Sequence, residues 1–313
     1  MIHKLTAVVL IIISVLSLLS LFGHHPYLEL TTHFRLQYAL VALLCLVPLS
    51  ALQSWKLMPL AVGCFIFNLS YVVPYYIRPP SPEVSSQRTS LRLFQANLLT
   101  ENKNYQALIE AVKEAQPDVV VLQELTPEWE VQTQVLREQY RFVELAPRPG
   151  GSGMGILSRY PLEETKVLKL DASTHLALFV RVNVDGTPVS ILGLHPPTPV
   201  TRTKFDNRNQ QFQAAAEMLS AIKGAKVLIG DLNTSPWSPY FKELAQRSGM
   251  RDARLGFGLE TSWPTPLPGF LRIPIDHCLV SDGVQVEDAR IGRSIGSDHR
   301  PLMVDLQIQK SKN

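Results

Sequence analysis

Val227-Leu228-Ile229-Gly230-Asp231-Leu232-Asn233 decides the fold. A short apolar run ends in Gly-Asp-Leu-Asn, and on a strand end residues two apart point to the same side, so Asp231 and Asn233 present a carboxylate and an amide together. That pair suits a phosphate group and a metal ion. Standing alone, an Asp and an Asn after a strand are ordinary turn formers. What changes the reading is that other polar residues also sit at the ends of apolar runs: Asn97, Glu124, His195, Asp276, Asp298 and His299. A shared cleft explains such a series better than a set of unrelated turns and caps.

Outward from this stretch, apolar strand-like runs alternate with helical patterns, which specifies an α/β domain. Leu91 to Ala96 predicts a strand ending at Asn97, followed by a helix carrying Leu108, Ile109 and Val112 and closed by Pro117. Val119 to Leu122 predicts the next strand, delivering Gln123-Glu124. Thr126-Pro127 predicts a capped helix through about Tyr140. The glycines at 150, 151, 153 and 155 lack a strand before and a helix after, so they predict a turn entering the strand Ile156-Leu157-Ser158 rather than a phosphate loop. Residues 178–184 and 189–194 predict a hairpin about Asp185-Gly186 that ends at His195. Asn207 to Ile222 predicts a helix leading back to the strand before Asp231. Ser235-Pro236 predicts the start of another helix, and Ile273-Pro274-Ile275 and Leu302 to Leu306 predict the last strands.

The first 77 residues are of another kind. Leu5 to Phe22, Leu36 to Leu52 and Leu57 to Ile77 are uncharged runs of 18, 17 and 21 residues, close to the roughly 20 residues that cross a bilayer as helix. They predict three transmembrane helices over 1–77, a Pro- and Ser-rich linker over 78–90, and a soluble domain over 91–310. No small-residue cleavage pattern follows the first run, so retention in a multi-pass cell (inner) membrane protein is expected. Lys4 and Lys56 suggest a cytoplasmic start and an extracytoplasmic domain, although Arg35, Arg78, Arg88 and Arg92 oppose that orientation under the positive-inside rule. From residue 78 on there are 27 Lys and Arg against 26 Asp and Glu. That near-neutral balance argues against bulk nucleic acid as the ligand. Cys45, Cys64 and Cys278 form neither a disulfide framework nor a thiolate metal site.

The polar series has a coherent chemistry. Glu124, with Asn97 and Asp298, offers hard oxygen ligands for one Mg²⁺ or Mn²⁺. Asp276 is placed to orient His299 and raise its basicity. Asp231 would take the proton from an attacking water, and Asn233 and His195 would donate to phosphoryl oxygens. His277, next to Asp276, should point away and is structural. His175 and the helix-borne Arg208 and Gln211 are surface or packing groups, with Arg208 able to reach the site.

These residues resemble the endonuclease/exonuclease/phosphatase family from about Leu91 to Leu306. The resemblance is carried by Phe94-Gln95-Ala96-Asn97, Pro117-Asp118-Val119-Val120, Leu122-Gln123-Glu124, Gly155 to Arg159, His195, Gly230 to Asn233, Ile275-Asp276-His277 and Gly296 to Pro301. It implies a DNase I-like four-layer α/β/β/α sandwich and metal-dependent phosphoester hydrolysis. Within the family pattern Asn97 and Glu124 match metal ligands, Asp231 and Asn233 the base and phosphate-orienting pair, and Asp276 with His299 a dyad; His195 stands where some members carry Tyr. Trp237-Ser238-Pro239 and Thr261-Ser262-Trp263-Pro264 resemble a membrane-anchored bacterial branch associated with lipid pyrophosphate. The expected substrate is therefore a lipid-linked phosphate at the bilayer, with nucleic acid as the alternative and a non-catalytic membrane scaffold as a third reading. No protein partner is implied.

Overall fold

The computed structural model describes residues 1–79 and 88–310. Most of the proposed linker, 80–87, lies outside the described residues. The N-terminal part is a bundle of α1 (Ile2–Leu19), a short α2 (Pro26–Glu29), α3 (Arg35–Ala51) and α4 (Met58–Val72). With their flanking turns these make three helices long and apolar enough to cross a membrane. Their outer faces are apolar and exposed (Leu5, Val8, Ile12, Val15, Leu44, Val47, Ile66), while the polar side chains turn inward. Asn68 donates to Ser17 Oγ at 2.9 Å, and Arg35 donates to Asn68 Oδ1 at 3.1 Å and lies 4.0 Å from the centre of the Tyr71 ring. This inverted pattern is what a helix bundle in lipid requires, because lipid cannot satisfy a polar group.

The remainder is a sandwich of two six-stranded mixed sheets. The strands are β1 (Arg88–Asn97), β2 (Val119–Gln123), β3 (Phe142–Ala146), β4 (Met154–Ser158), β5 (Leu162–Leu168), β6 (Ala177–Val184), β7 (Thr187–Leu194), β8 (Ala225–Asp231), β9 (Met250–Asp252), β10 (Asp276–Ser281), β11 (Val284–Ile291) and β12 (Leu302–Gln309). Their order is β11-β12-β1-β2-β4-β3 in one sheet and β5-β6-β7-β8-β10-β9 in the other. Helices α5 (Tyr105–Ala115) and α6 (Pro127–Gln132) cover the first sheet, and α7 (Arg202–Ala221) and α8 (Pro239–Ser248) cover the second.

The period of two builds these layers. Leu91, Leu93, Val119, Val121, Val227, Ile229, Cys278 and Val280 fill the space between the sheets. The alternate residues Phe94, Val120 and Leu122 meet the helices of the first layer, and Leu228 and Leu279 those of the second. Continued by one or two steps, the inward rows become polar: Gln95 and Asn97 after Leu93, Gln123 after Val121, Asp231 after Ile229, Asp276 before Cys278. The site is thus the end of the core itself.

Several boundaries differ from the sequence reading. β1 takes in Arg88 to Ser90, which the linker was expected to hold, because β12 runs long enough to pair with them. α7 starts at Arg202, where Thr201 caps it, and not at Asn207. α8 starts at Pro239 under a Ser238 cap, so Ser235-Pro236 forms a turn. Only Ile273 of the 273–275 run is bridged, to Trp263, and Asp276 opens its strand where a strand before it was expected. The helix after Thr126 relaxes into a 3₁₀ segment at Thr133.

Candidate active site

Asp231 and Asp276 are directly paired across β8 and β10, so two carboxylates enter the inter-sheet space side by side. Asp231 is 1 % exposed and Asp276 is fully buried. Two adjacent buried anions would repel, and the arrangement around them is what makes the pair tolerable. His299 Nδ1 lies 2.8 Å from Asp276 Oδ2, and His299 Nε2 lies 3.5 Å from Asp231 Oδ2. Gln95 donates to Asp276 Oδ1 at 2.8 Å and to Gln123 Oε1 at 2.6 Å, and Gln123 Oε1 also accepts from the Asp231 backbone N–H at 3.0 Å. Asp231 Oδ1 accepts from the Asn233 N–H at 2.8 Å and Oδ2 from the Asn97 amide at 3.2 Å.

Titration follows this geometry. Burial pushes the Asp231 carboxyl up to about 7; the positive His299 pulls against that and Asp276 adds to it. Burial would lower His299, but the Asp276 and Asp231 carboxylates hold it up at about 10. Burial would raise Asp276, and the charge and hydrogen bond of His299, with donation from Ser262 and Gln95, keep it below the usual carboxylate range. At neutral pH the site holds a charged imidazolium beside one firm carboxylate and one that exchanges its proton. His195, 3.7 Å from Asp231, is pushed down to about 4 by burial and then by the charge of His299, and is neutral.

The loops are shaped to fit. A Cβ at Gly230 would lie 2.0 Å from the Leu194 carbonyl oxygen and 2.4 Å from Gln123 Nε2, so only glycine lets β8 approach there. Glu124 (φ 57°) and Asn233 (φ 50°) both occupy the left-handed region, a cost of about 1 kcal/mol or more each that the surroundings must offset. Both face one cavity of about 430 Å³, which Asn97, Asp231, His195, Asp298 and His299 also line. Of the residues read from sequence, only Asp276 lies behind that wall, under His299. Glu124 Oε2 accepts from the Thr100 N–H and hydroxyl at 2.9 Å each, and Asp298 Oδ2 accepts from the Trp263 indole at 2.9 Å. The Asn233 amide donates to the Pro196 carbonyl at 3.1 Å, leaving one N–H free for the cavity.

The donor set can be tested against a hard divalent cation. Asn97, Glu124 and Asp298 bring only oxygen ligands to one cleft, and among the described residues Glu124 has no cationic partner. Such a set fits Mg²⁺ or Mn²⁺. A tighter group, Asp231, Asp276 and His299, has ligand atoms within 4.8 Å of one another. Its imidazole is already bonded to Asp276, which suits proton handling better than ligation.

The profile of the endonuclease/exonuclease/phosphatase family matches residues 60–299. The chain belongs to this family. It is a hydrolase of phosphoester bonds, and the family generally uses divalent metals. No curated protein matches the chain in sequence. A family protein from Bacteroides thetaiotaomicron superposes with a TM-score of 0.60 at 17% identity, over 71% of this chain and 99% of that one. Humanized TDP2 of D. rerio gives 0.58 at 16%, over 69% and 98%. Sphingomyelinase C of Streptomyces griseocarneus gives 0.54 at 19%, over 69% and 99%. At these identities the likeness is one of fold, and the DNase I-like sandwich is common to all.

Sequence reading missed part of this family member's site. Leu30, His33 and Phe34, from the segment between α2 and α3, form a wall of the same cavity, with Trp263, Ile273 and Ile275 also lining it. Just behind, Glu29 and Arg208 form an ion pair at 2.6 Å, both fully buried. Glu29 also accepts from Thr234 at 3.1 Å and from Ser238, and Arg208 donates to the Asn233 carbonyl at 3.3 Å. Arg208 therefore braces the loop that carries Asn233 from behind. One signal was legible: Glu29 is the only acidic residue before position 78. His277 turns to the helix layer, between the Thr234 carbonyl at 2.8 Å and Arg254 at 2.6 Å.

Proposed function

We propose that the protein is a membrane-anchored, divalent-metal-dependent phosphoesterase that hydrolyses a lipid-linked phosphoester or pyrophosphate. The observation that carries this reading is the composite cleft: Leu30, His33 and Phe34, which line it together with Asp231 and His299, come from the segment leading into α3, a helix long and apolar enough to cross a membrane. In the proposed organisation, 1–77 is the membrane segment and the sandwich, expected over 91–310 and beginning with β1, is the catalytic domain on the extracytoplasmic side.

In this reading Asp231 accepts the proton of the attacking water, a role suited by its pKa near 7. His299 faces the phosphoryl group as a fixed positive charge, oriented by Asp276. The neutral His195 and the free N–H of Asn233 donate to phosphoryl oxygens. Asn97, Glu124 and Asp298 would hold Mg²⁺ or Mn²⁺, which when bound supplies charge neutralisation at the phosphoryl oxygen.

The test uses the full chain in detergent or nanodiscs with Mg²⁺, assayed on a long-chain lipid pyrophosphate, on single-stranded DNA and on plasmid. Turnover of the lipid substrate, abolished by EDTA and by His299→Ala, is expected. Turnover of nucleic acid alone removes the lipid assignment. Failure on every phosphoester, with Asp231→Asn behaving as wild type in cells, favours a scaffold.

A further inference from the structure

We infer that the Leu30–Phe34 segment is the substrate-selecting wall of the cleft: Leu30 and Phe34 receive the apolar chain of the lipid where it joins its phosphate, and His33 donates to a phosphate oxygen beyond the bond that is cut. The inference rests on the lipid-linked reading above and adds to it a subsite and its residues.

His33 is 6 % exposed, lies against the cavity, and among the described residues its Nδ1 has no hydrogen-bond partner. A buried ring nitrogen is rarely left unpaired unless a ligand or water completes it. On either side of it in sequence, Leu30 and Phe34 are each 40 % exposed, an unusual state for large apolar side chains at a polar centre. The cavity thus passes from carboxylates and imidazoles at Asp231 to an apolar mouth within one segment. The same segment leads directly into α3, part of a helix long and apolar enough to cross a membrane. Gln37, in the first turns of α3, donates to the Phe270 and Arg272 carbonyls at 3.1 and 3.0 Å, which holds the 269–271 turn against the start of that helix. Phe270 in that turn is 56 % exposed, an apolar ring beside the start of α3. In this inference a lipid phosphate enters past the 30–34 segment, its phosphate end first and its chain against Leu30 and Phe34. A soluble nucleotide or sugar phosphate has no chain to occupy such a mouth.

The experiment compares the full-length protein with Leu30→Ala, Phe34→Ala, Phe34→Trp and His33→Leu, in nanodiscs with Mg²⁺, on a hexadecyl pyrophosphate and its butyl counterpart. The wild type is expected to prefer the long chain. Changing Leu30 or Phe34 should lower the long-to-short ratio of kcat/KM about tenfold, chiefly through KM of the long substrate. His33→Leu should weaken binding of a nonhydrolysable hexadecyl bisphosphonate about tenfold, read by fluorescence titration without turnover. Ratios and bisphosphonate affinity that stay at the wild-type values across these variants overturn the inference, as does an equal loss on both substrates in all of them, which marks a structural role. A wild type that hydrolyses the butyl compound and ignores the hexadecyl one overturns the lipid reading itself.

Discussion

Two buried charge clusters flank the loop that carries Asn233, and they are built to opposite ends. On the cavity side, Asp231 faces His299 and His195 at 3.5 and 3.7 Å, beyond good hydrogen-bond reach, and its proton is exchangeable near neutrality. On the far side, Glu29 and Arg208 are closed: both carboxylate oxygens accept hydrogen bonds, and every guanidinium nitrogen donates to Glu29, Asn209 or the Asn233 carbonyl. The rings of Phe205, Phe212 and Tyr240 surround the guanidinium, with centres 5.1 to 5.6 Å away. Burial is equal in the two; charge compensation is not. Both Asp231 oxygens accept from neutral donors, Asn233 and Asn97, while the ring nitrogens stand off. A buried carboxylate held by neutral donors can exchange its proton, and one locked to a guanidinium is architecture.

Removing the charge should therefore do different damage in each. Asp231→Asn is expected to lower kcat by roughly 10²- to 10⁴-fold, while thermal unfolding above pH 8 stays at or above wild type, since a carboxylate disfavoured by burial is gone. A fall in both would show that the two clusters do not differ as described. Glu29→Ala should reverse the pattern in stability, costing about 3 to 5 kcal/mol because Arg208 is left charged and alone. Glu29→Gln combined with Arg208→Met should recover most of that in denaturant unfolding. A near-neutral Glu29→Ala would mean that water reaches the pair.

The third test is titration. If Asp231 has the proposed role of proton acceptor it must be ionised to act, so kcat/KM should rise about tenfold per pH unit below about 7 and level off above it, then fall as His299 loses its proton near 10. Raising Mg²⁺ should move the acid limb to lower pH, because a nearby cation favours the carboxylate. The linkage signs follow from both pKa values being raised. The His299 contribution to stability is full below its unfolded value of 6.5 and is lost as pH rises through about 10. That of Asp231 is full below 3.8 and is lost as pH rises through about 7. A pH–rate profile flat from 5 to 9 would sink the assignment. The smallest effect is expected at the rim: Trp263→Phe removes one donor to Asp298 and should cost about 1 kcal/mol, a few-fold in activity, visible as weaker apparent Mg²⁺ affinity.

Much of the fold was legible because its signal is local. Apolar runs of period two ending in polar residues located β1, β2, β7 and β8 and with them Asn97, Glu124, His195 and Asp231. The strands that escaped, β3, β5, β9 and β11, are the edges of the two sheets; β9 is only three residues long, and in the others half-exposed residues such as Glu144, Glu164 and Gln285 blur the alternation. Gln95 and Gln123 were quoted only as part of motifs, because a glutamine inside a strand reads as a solvent-facing residue until the opposite sheet is known. Glu29 and Arg208 stand 179 positions apart. No window along the chain joins them, and only the packing of the helices on the sandwich does.

That packing bears on how the enzyme can be handled. Cutting the chain before β1 to obtain a water-soluble fragment would strip away Leu30, His33 and Phe34, leaving the catalytic hollow roofless on one side and Arg208 stranded without its anion. Such a fragment would report on a damaged pocket, and its inactivity would say nothing about the intact protein.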